Sequence, residues 1–239
     1  LGLPPYAKAR PLAVLHRGAS PLFHHLVEEV AALRLPLFPY PVEVPPGGDP
    51  WAALSCLAPL DFAGLALEEA LPPPKGVRLE AEAEAGGLVD LVVPGLSGLY
   101  SHYTEGLALE RFLSAHFPGA RALWLGPLRP SLAPFLRALG QVSVVAPSFA
   151  EGDGFLARLP PKARGHVALR REEATALALK ADLLLHAGGG LPLEWLQPFH
   201  ALLTLTPPMP GLADRVQQVH GPEALLAFRV RALLEALAL

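Results

Sequence analysis

Ala122-Leu123-Trp124-Leu125-Gly126-Pro127-Leu128-Arg129-Pro130-Ser131, continued by Leu132-Ala133-Pro134-Phe135-Leu136-Arg137-Ala138-Leu139-Gly140 and then Gln141-Val142-Ser143-Val144-Val145-Ala146, is the stretch on which the fold turns. An apolar run ends on one glycine, a proline-bounded turn follows, and a segment with helical apolar spacing leads into a second apolar run. Strand 121–125, helix 131–139 and strand 142–146 give the βαβ layout of a mononucleotide-binding unit. Such a unit holds phosphate with a glycine-rich turn, free N–H groups and a helix N-terminus. Here Pro127 and Pro130 each lack an N–H, and Leu128 and Arg129 add side chains where glycine would permit close approach. The scaffold is present and its phosphate cradle is overwritten.

Strands and helices alternate on both sides of this unit. Pro11 to Leu15 reads as a buried strand, followed by a turn at Arg17-Gly18-Ala19. Ser20 is an N-cap candidate and Pro21 suits the first helical position. The helix continues from Leu22 to Leu35, with Phe23, Leu26, Val27, Val30 and Leu33 on one face. A strand over 39–44 follows, then a helix capped by Asp49-Pro50 through about Ala58, then a strand over 62–67. Pro72-Pro73-Pro74 is a stiff loop. Residues 88–93 and 98–100 resemble a hairpin, and a long helix runs from about Thr104 to His116, ending at Pro118-Gly119. Beyond the central unit come helix 172–179, strand 182–186, a short helix near Glu194, strand 201–205 and a closing helix from about Pro222 to Ala238. This alternation predicts an α/β protein with parallel sheets.

The whole-chain numbers narrow the function classes. The 239 residues suffice for one large domain or two small ones, and with 51% hydrophobic and 17% charged residues the chain is not a disordered one. A net charge of −3 gives no electrostatic footprint for nucleic acid or an anionic membrane. Arginine outnumbers lysine 15 to 4, a bias suggesting a GC-rich, thermophilic bacterial genome. The single cysteine, Cys56, excludes an intrachain disulfide and a Cys-based zinc cage. No run of 18 apolar residues and no signal-peptide pattern is visible, so the expected compartment is the cytoplasm.

The order of motifs resembles the shikimate dehydrogenase family of two-domain, NADP-using α/β oxidoreductases. Where that family places Ser-x-Ser-Pro at the start of a helix, this chain has Gly18-Ala19-Ser20-Pro21. Its Gly-Ala-Val-Asn-Thr block corresponds to Gly87-Leu88-Val89-Asp90-Leu91, and its Gly-x-Asn-Thr-Asp to Ser101-His102-Tyr103-Thr104-Glu105. The NADP turn falls on Gly126 to Ser131, a later small-residue turn on His186-Ala187-Gly188, and the terminal helix motif on Glu223 to Phe228. The resemblance implies two α/β domains: an N-terminal substrate-type domain of residues 1–102 plus 214–239, and a Rossmann-like nucleotide-type domain of residues 103–213. The helix at about 104–116 would connect them, and the C-terminal helix would return to the first.

The resemblance also assigns roles. In the family a Lys–Asp pair assists proton transfer as hydride leaves carbon. Glu105 takes the place of that Asp, while the lysine position falls on Pro72 without a gap or on Lys75 with a three-residue insertion. Lys75 and Glu105 are therefore the candidate catalytic pair. Substrate-binding positions map to Ser20, Glu68, Asp90 and Glu223, with Gly18 and Ala66 replacing a serine and an asparagine. NADP would be met by Gly126, Arg129, Ser131 and Gly188. Four positions become Glu68, Asp90, Glu105 and Glu223, which would crowd carboxylates into the interdomain cleft, raise one another's pKa and repel a shikimate carboxylate. Such a cleft suits a cationic ligand or a hard metal, although exposed carboxylates facing water give the same pattern.

Three functions compete. One is an NADP-dependent reduction of 3-dehydroshikimate, lost or altered by these substitutions. A second is a non-catalytic protein binding a small ligand or partner. A third is an enzyme using the acidic cleft for a metal or cationic substrate. Partners would be a small molecule in the cleft, with no nucleic acid and no membrane, and the family includes monomers and homodimers. The remaining motifs are weak: His186-Ala187-Gly188-Gly189-Gly190 is an anion nest or a glycine turn, and His25 with Glu29 lacks a further metal ligand. No Gly-x-Ser-x-Gly or P-loop is present.

Overall fold

The structure, a computed structural model, describes residues 9–57 and 59–238. It divides into two compact units, Leu1–Leu107 with Leu226–Leu239, and Ala108–Leu225.

In the first unit, β1 (Arg10–His16) leads through a turn into α1 (Pro21–Leu33). Ser20 caps the helix by accepting the Phe23 N–H at 3.3 Å, and Pro21 opens it at no cost in hydrogen bonds. Arg34 closes it in the left-handed conformation, with φ at 53°. β2 (Leu37–Glu43) and β3 (Gly64–Leu71) flank β1 in parallel. They are followed by the short β4 (Arg78–Leu79), α2 (Ala81–Gly86), β5 (Val89–Gly95), β6 (Gly98–His102) and the start of α3 (Thr104–His116). The strand order is β2-β1-β3-β5-β6-β4, with β5 antiparallel to β3 and β6. Leu22, Leu26 and Val30 of α1 pack with Leu12, Val14, Ala66 and Leu91 of the sheet and with Leu226, Val230 and Leu233 of the C-terminal helix. The parallel half of the sheet directs the carboxyl ends of β1, β2 and β3 to one edge, where a ligand is expected in such sheets.

The second unit contains β7 (Arg121–Leu125), β8 (Gln141–Val145), α4 (Phe149–Leu156), β9 (Arg164–Ala168), α5 (Arg171–Ala178), β10 (Leu183–His186), β11 (Ala201–Thr204), β12 (Gln218–His220) and the start of α6 (Pro222–Ala236). All pairings are parallel, in the order β12-β11-β10-β7-β8-β9. The order reverses between β7 and β10, the switch point beside which open α/β sheets bind their ligands.

Two expected helices are corrected. Residues Pro50–Cys56 form a 3-10 helix, and Ala58 lies outside the described residues. The helix expected over 131–139 is only a four-residue 3-10 turn, Ala133–Leu136. Its bonds run to the third residue back, from Phe135 N–H to Leu132 O and from Leu139 N–H to Leu136 O, both at 3.0 Å. Pro130 and Pro134 remove donors, and Gly140 is drawn back to Ala120 to begin β8, so the segment stays in 3-10 turns and no α-helix forms. β4, α2, α4, β9 and β12 are further elements that the sequence pattern does not predict. Among the described residues no helix is long and apolar enough to cross a membrane.

One core residue makes this unit sensitive to pH. His200 is fully buried, accepts the Gln197 N–H at Nδ1 (3.0 Å) and faces the Ala178 carbonyl with Nε2 (2.9 Å), so it is neutral with its proton on Nε2. Burial holds its pKa below the usual histidine value, against the pull of the Ala178 carbonyl and Asp182. Burial likewise lowers His186 and His220. A group with a depressed folded pKa stabilises fully above its unfolded value, and that stability is lost as pH falls from there through the folded value. The melting temperature should therefore fall between about pH 7 and about pH 5, ahead of the carboxylate range. Calorimetry should show this slope reduced in His200→Asn; a flat profile would contradict the assignment.

Candidate functional site

Glu68 and Ser20 meet in the first unit. Glu68 projects from β3 to the N-terminus of α1, where Ser20 Oγ donates to Oε2 at 2.5 Å. The Leu22 N–H lies 3.3 Å from both carboxylate oxygens. A thirteen-residue helix thus presents its positive end, a free N–H and a hydroxyl to an anion, and the chain's own carboxylate takes that place.

Asp90 is wholly buried on β5 and caps α3. It accepts from Thr104 N (2.7 Å), Thr104 Oγ1 (3.0 Å) and Glu105 N (2.8 Å). Its counter-charge is Arg229 of α6, at 3.2 Å. Arg229 also donates to the Leu67 carbonyl at 2.7 Å and the Glu68 carbonyl at 2.9 Å, so one guanidinium ties the middle of β3 to the capped helix. No motif in the sequence marks Arg229 as a site residue. The available signal was its place three residues after Leu226 and four before Leu233, on the apolar stripe of the helix.

Two of the carboxylates expected to crowd one cleft have partners within the first unit. Glu68, Asp90 and Glu105 do belong to one unit, but Asp90 is matched by Arg229 and Glu68 by Ser20 and Leu22. Glu223 belongs to the second unit, exposed in the first turn of α6. Lys75 sits exposed on the turn after β3 and, among the described residues, makes no hydrogen bond or ion pair with Glu105 or any other group. The segment between β3 and β5 holds a turn carrying Lys75, then β4 and six-residue α2. A hydrogen bond that the sequence does not signal joins β6 to α2, between His102 Nδ1 and Glu82 Oε1 at 2.8 Å. Burial pushes the Glu82 carboxyl up, but the His102 hydrogen bond, its own backbone N–H and the His102 charge together bring it below the usual range. Among the described residues no three His, Cys, Asp or Glu side chains gather to hold a metal.

In the second unit, Gly126 and Gly188 end the neighbouring strands β7 and β10 at the switch point. Gly126 has φ +86°, and a Cβ there would lie 2.2 Å from the Gly188 carbonyl oxygen. The two turns are in backbone contact. Trp124, buried under β7, donates from Nε1 to the Pro127 carbonyl at 3.1 Å and fastens the turn to the core. Arg129 and Ser131 are half-buried on the same turn, and no α-helix begins after them.

No family model matches the sequence, and no curated protein matches it. Solved structures do. The shikimate 5-dehydrogenase of Listeria monocytogenes, in complex with shikimate and NAD, is 15% identical with a TM-score of 0.73, over 95% of this chain and 91% of that one. The Mycobacterium tuberculosis shikimate dehydrogenase is 16% identical with a TM-score of 0.72, over 95% and 93%. A quinate dehydrogenase from Corynebacterium glutamicum, in complex with NAD, is 18% identical with a TM-score of 0.69, over 97% and 99%. At these identities the shared property is the fold.

Proposed function

We propose that this chain, which has the shikimate dehydrogenase fold, is a small-ligand-binding protein in which nicotinamide-dependent hydride transfer has been lost. The observation that carries this reading is the closed turn after β7. A dinucleotide needs room for its pyrophosphate against backbone N–H groups and a helix N-terminus. Here Gly126 rests on the Gly188 carbonyl, Pro127 and Pro130 supply no N–H, and only a 3-10 turn follows. Solved proteins of this fold are described in complex with NAD or NADP, but the residues at this position do not fit that group. The exposed, unpaired Lys75 supports the same reading on the substrate side, since proton transfer at a hydroxyl needs a base held in reach. The retained parts of the first unit, with its parallel strand ends and polar groups, support ligand binding without hydride chemistry.

The test is a fluorescence titration of the protein with NADPH and NADH, together with assays for oxidation of shikimate and quinate. No saturable cofactor binding and no turnover are expected. A micromolar Kd for either nucleotide would overturn the reading.

A further inference from the structure

The carboxyl ends of β1, β2 and β3 border a cleft open to solvent, with a cavity volume of about 70 Å³. Leu15, Val44, Leu67 and Leu71 give it apolar walls. Its polar groups are His16, Arg17, Glu68 and Glu69. Two successive residues of one strand normally face opposite ways. Here the pairing of β3 with β5 shifts register between Ala66 and Leu71, and both glutamates line the same space.

Three features fix the chemistry of an occupant. First, the helix end that would attract an anion is already neutralised by Glu68, so an entering carboxylate meets a carboxylate. The Glu68 oxygens keep lone pairs beyond those used by Ser20 and Leu22. Second, the His16 ring, at the end of β1, lines the cleft, and its buried Nδ1 has no hydrogen-bond partner among the described residues. Third, the one basic side chain on the rim, Arg17, gives its guanidinium to the Gly48 carbonyl at 3.0 Å.

We infer that this cleft binds a small organic ammonium, its N–H groups directed to Glu68 and Glu69 beside the His16 ring and its short apolar body lying on Leu15, Val44, Leu67 and Leu71. The inference deepens the proposed function and rests on its claim that the first unit still holds a ligand.

Isopentylamine, cationic at neutral pH, is the probe, titrated by calorimetry and by imidazole ¹⁵N NMR, with isopentanol and isocaproate as neutral and anionic counterparts. A ligand of about six non-hydrogen atoms should bind with a Kd of roughly 1 mM. The His16 resonance, assigned with His16→Gln, should shift on binding. Glu69→Gln, an exposed change outside the folding contacts, should weaken binding about tenfold. Glu68→Gln serves as a second variant with the same direction. Absence of saturable amine binding, equal binding of the alcohol, tighter binding of the carboxylate, or an unchanged Glu69→Gln each overturns the inference. Amine failure without NADPH binding leaves the loss of hydride transfer standing, whereas NADPH binding removes that reading whatever the amine does.

Discussion

Replacing Arg229 by leucine should destabilise the protein by about 3–5 kcal/mol, because it strands a buried carboxylate without its counter-charge. Asp90 has no exposed surface, and Arg229 is its ion-pair partner at 3.2 Å. The Leu67 and Glu68 carbonyls would lose donors in the same step. Leucine fills much of the volume, so the effect reads electrostatics and hydrogen bonding more than a cavity. For a chain of this length each kcal/mol moves the melting temperature by about 2–4 °C, so a fall of about 6–20 °C is expected. Adding Asp90→Asn to Arg229→Leu should recover part of the loss, since asparagine can still accept from Thr104 N–H while carrying no charge. Urea denaturation of the two single variants and the double variant closes the cycle. A single-variant loss below about 1 kcal/mol, the range of an exposed ion pair, would mean that the pair is not buried.

Gly126→Ala is the second large effect. Its backbone lies at φ +86°, where an L side chain costs about 1–2 kcal/mol. Its Cβ would also stand 2.2 Å from a backbone oxygen, and relieving such overpacking costs about a further 1–3 kcal/mol. Gly18→Ala is the internal comparison: φ is +92°, but nothing lies within 4 Å of the new Cβ. Gly126→Ala should therefore cost about twice as much as Gly18→Ala in denaturation experiments, by the conformational penalty common to both plus the clash. Equal costs would dissolve the backbone contact on which the closed cofactor turn depends.

Much of the fold was legible in the sequence because its signals are local. The apolar run through Leu15, the Ser20-Pro21 start of α1 and the run at β7 each announce themselves within a few residues. The misread helix at 131–139 had the right apolar spacing, and its leucines and phenylalanine are indeed buried. What failed was the assumption that burial at helical spacing produces a helix when two prolines remove the donors. α4 was hidden by Gly152 and Gly154 inside a short span, although Ser148 caps it on the Glu151 N–H. β9 was hidden by Gly165, which must be small because a Cβ would sit 2.4 Å from Ser143 Oγ.

The site was legible in residue positions and not in residue partners. Ser20, Glu68 and Asp90 are all legible as site positions, yet Glu68, Asp90, Glu105 and Glu223 taken together suggest crowded negative charge. The structure instead gives Ser20, Glu68 and Asp90 mates from elsewhere in the chain: Glu68 for Ser20, Arg229 for Asp90. A composition of acidic substitutions has no means of revealing an arginine more than a hundred residues away. Lys75 stood out for its rarity, and rarity carries no information about exposure.

The Arg229 contacts also impose an order on synthesis. Asp90 leaves the ribosome 139 residues before the cation that neutralises it, and the Glu68 carbonyl waits across a separation of 161. All of Ala108–Leu225 emerges in that interval and can fold first, because its parallel sheet draws on no strand from outside that range. The earlier-made sheet must meanwhile wait with a core carboxylate unmatched, so the nascent first unit is the stage of biogenesis at which a chaperone would have most to hold.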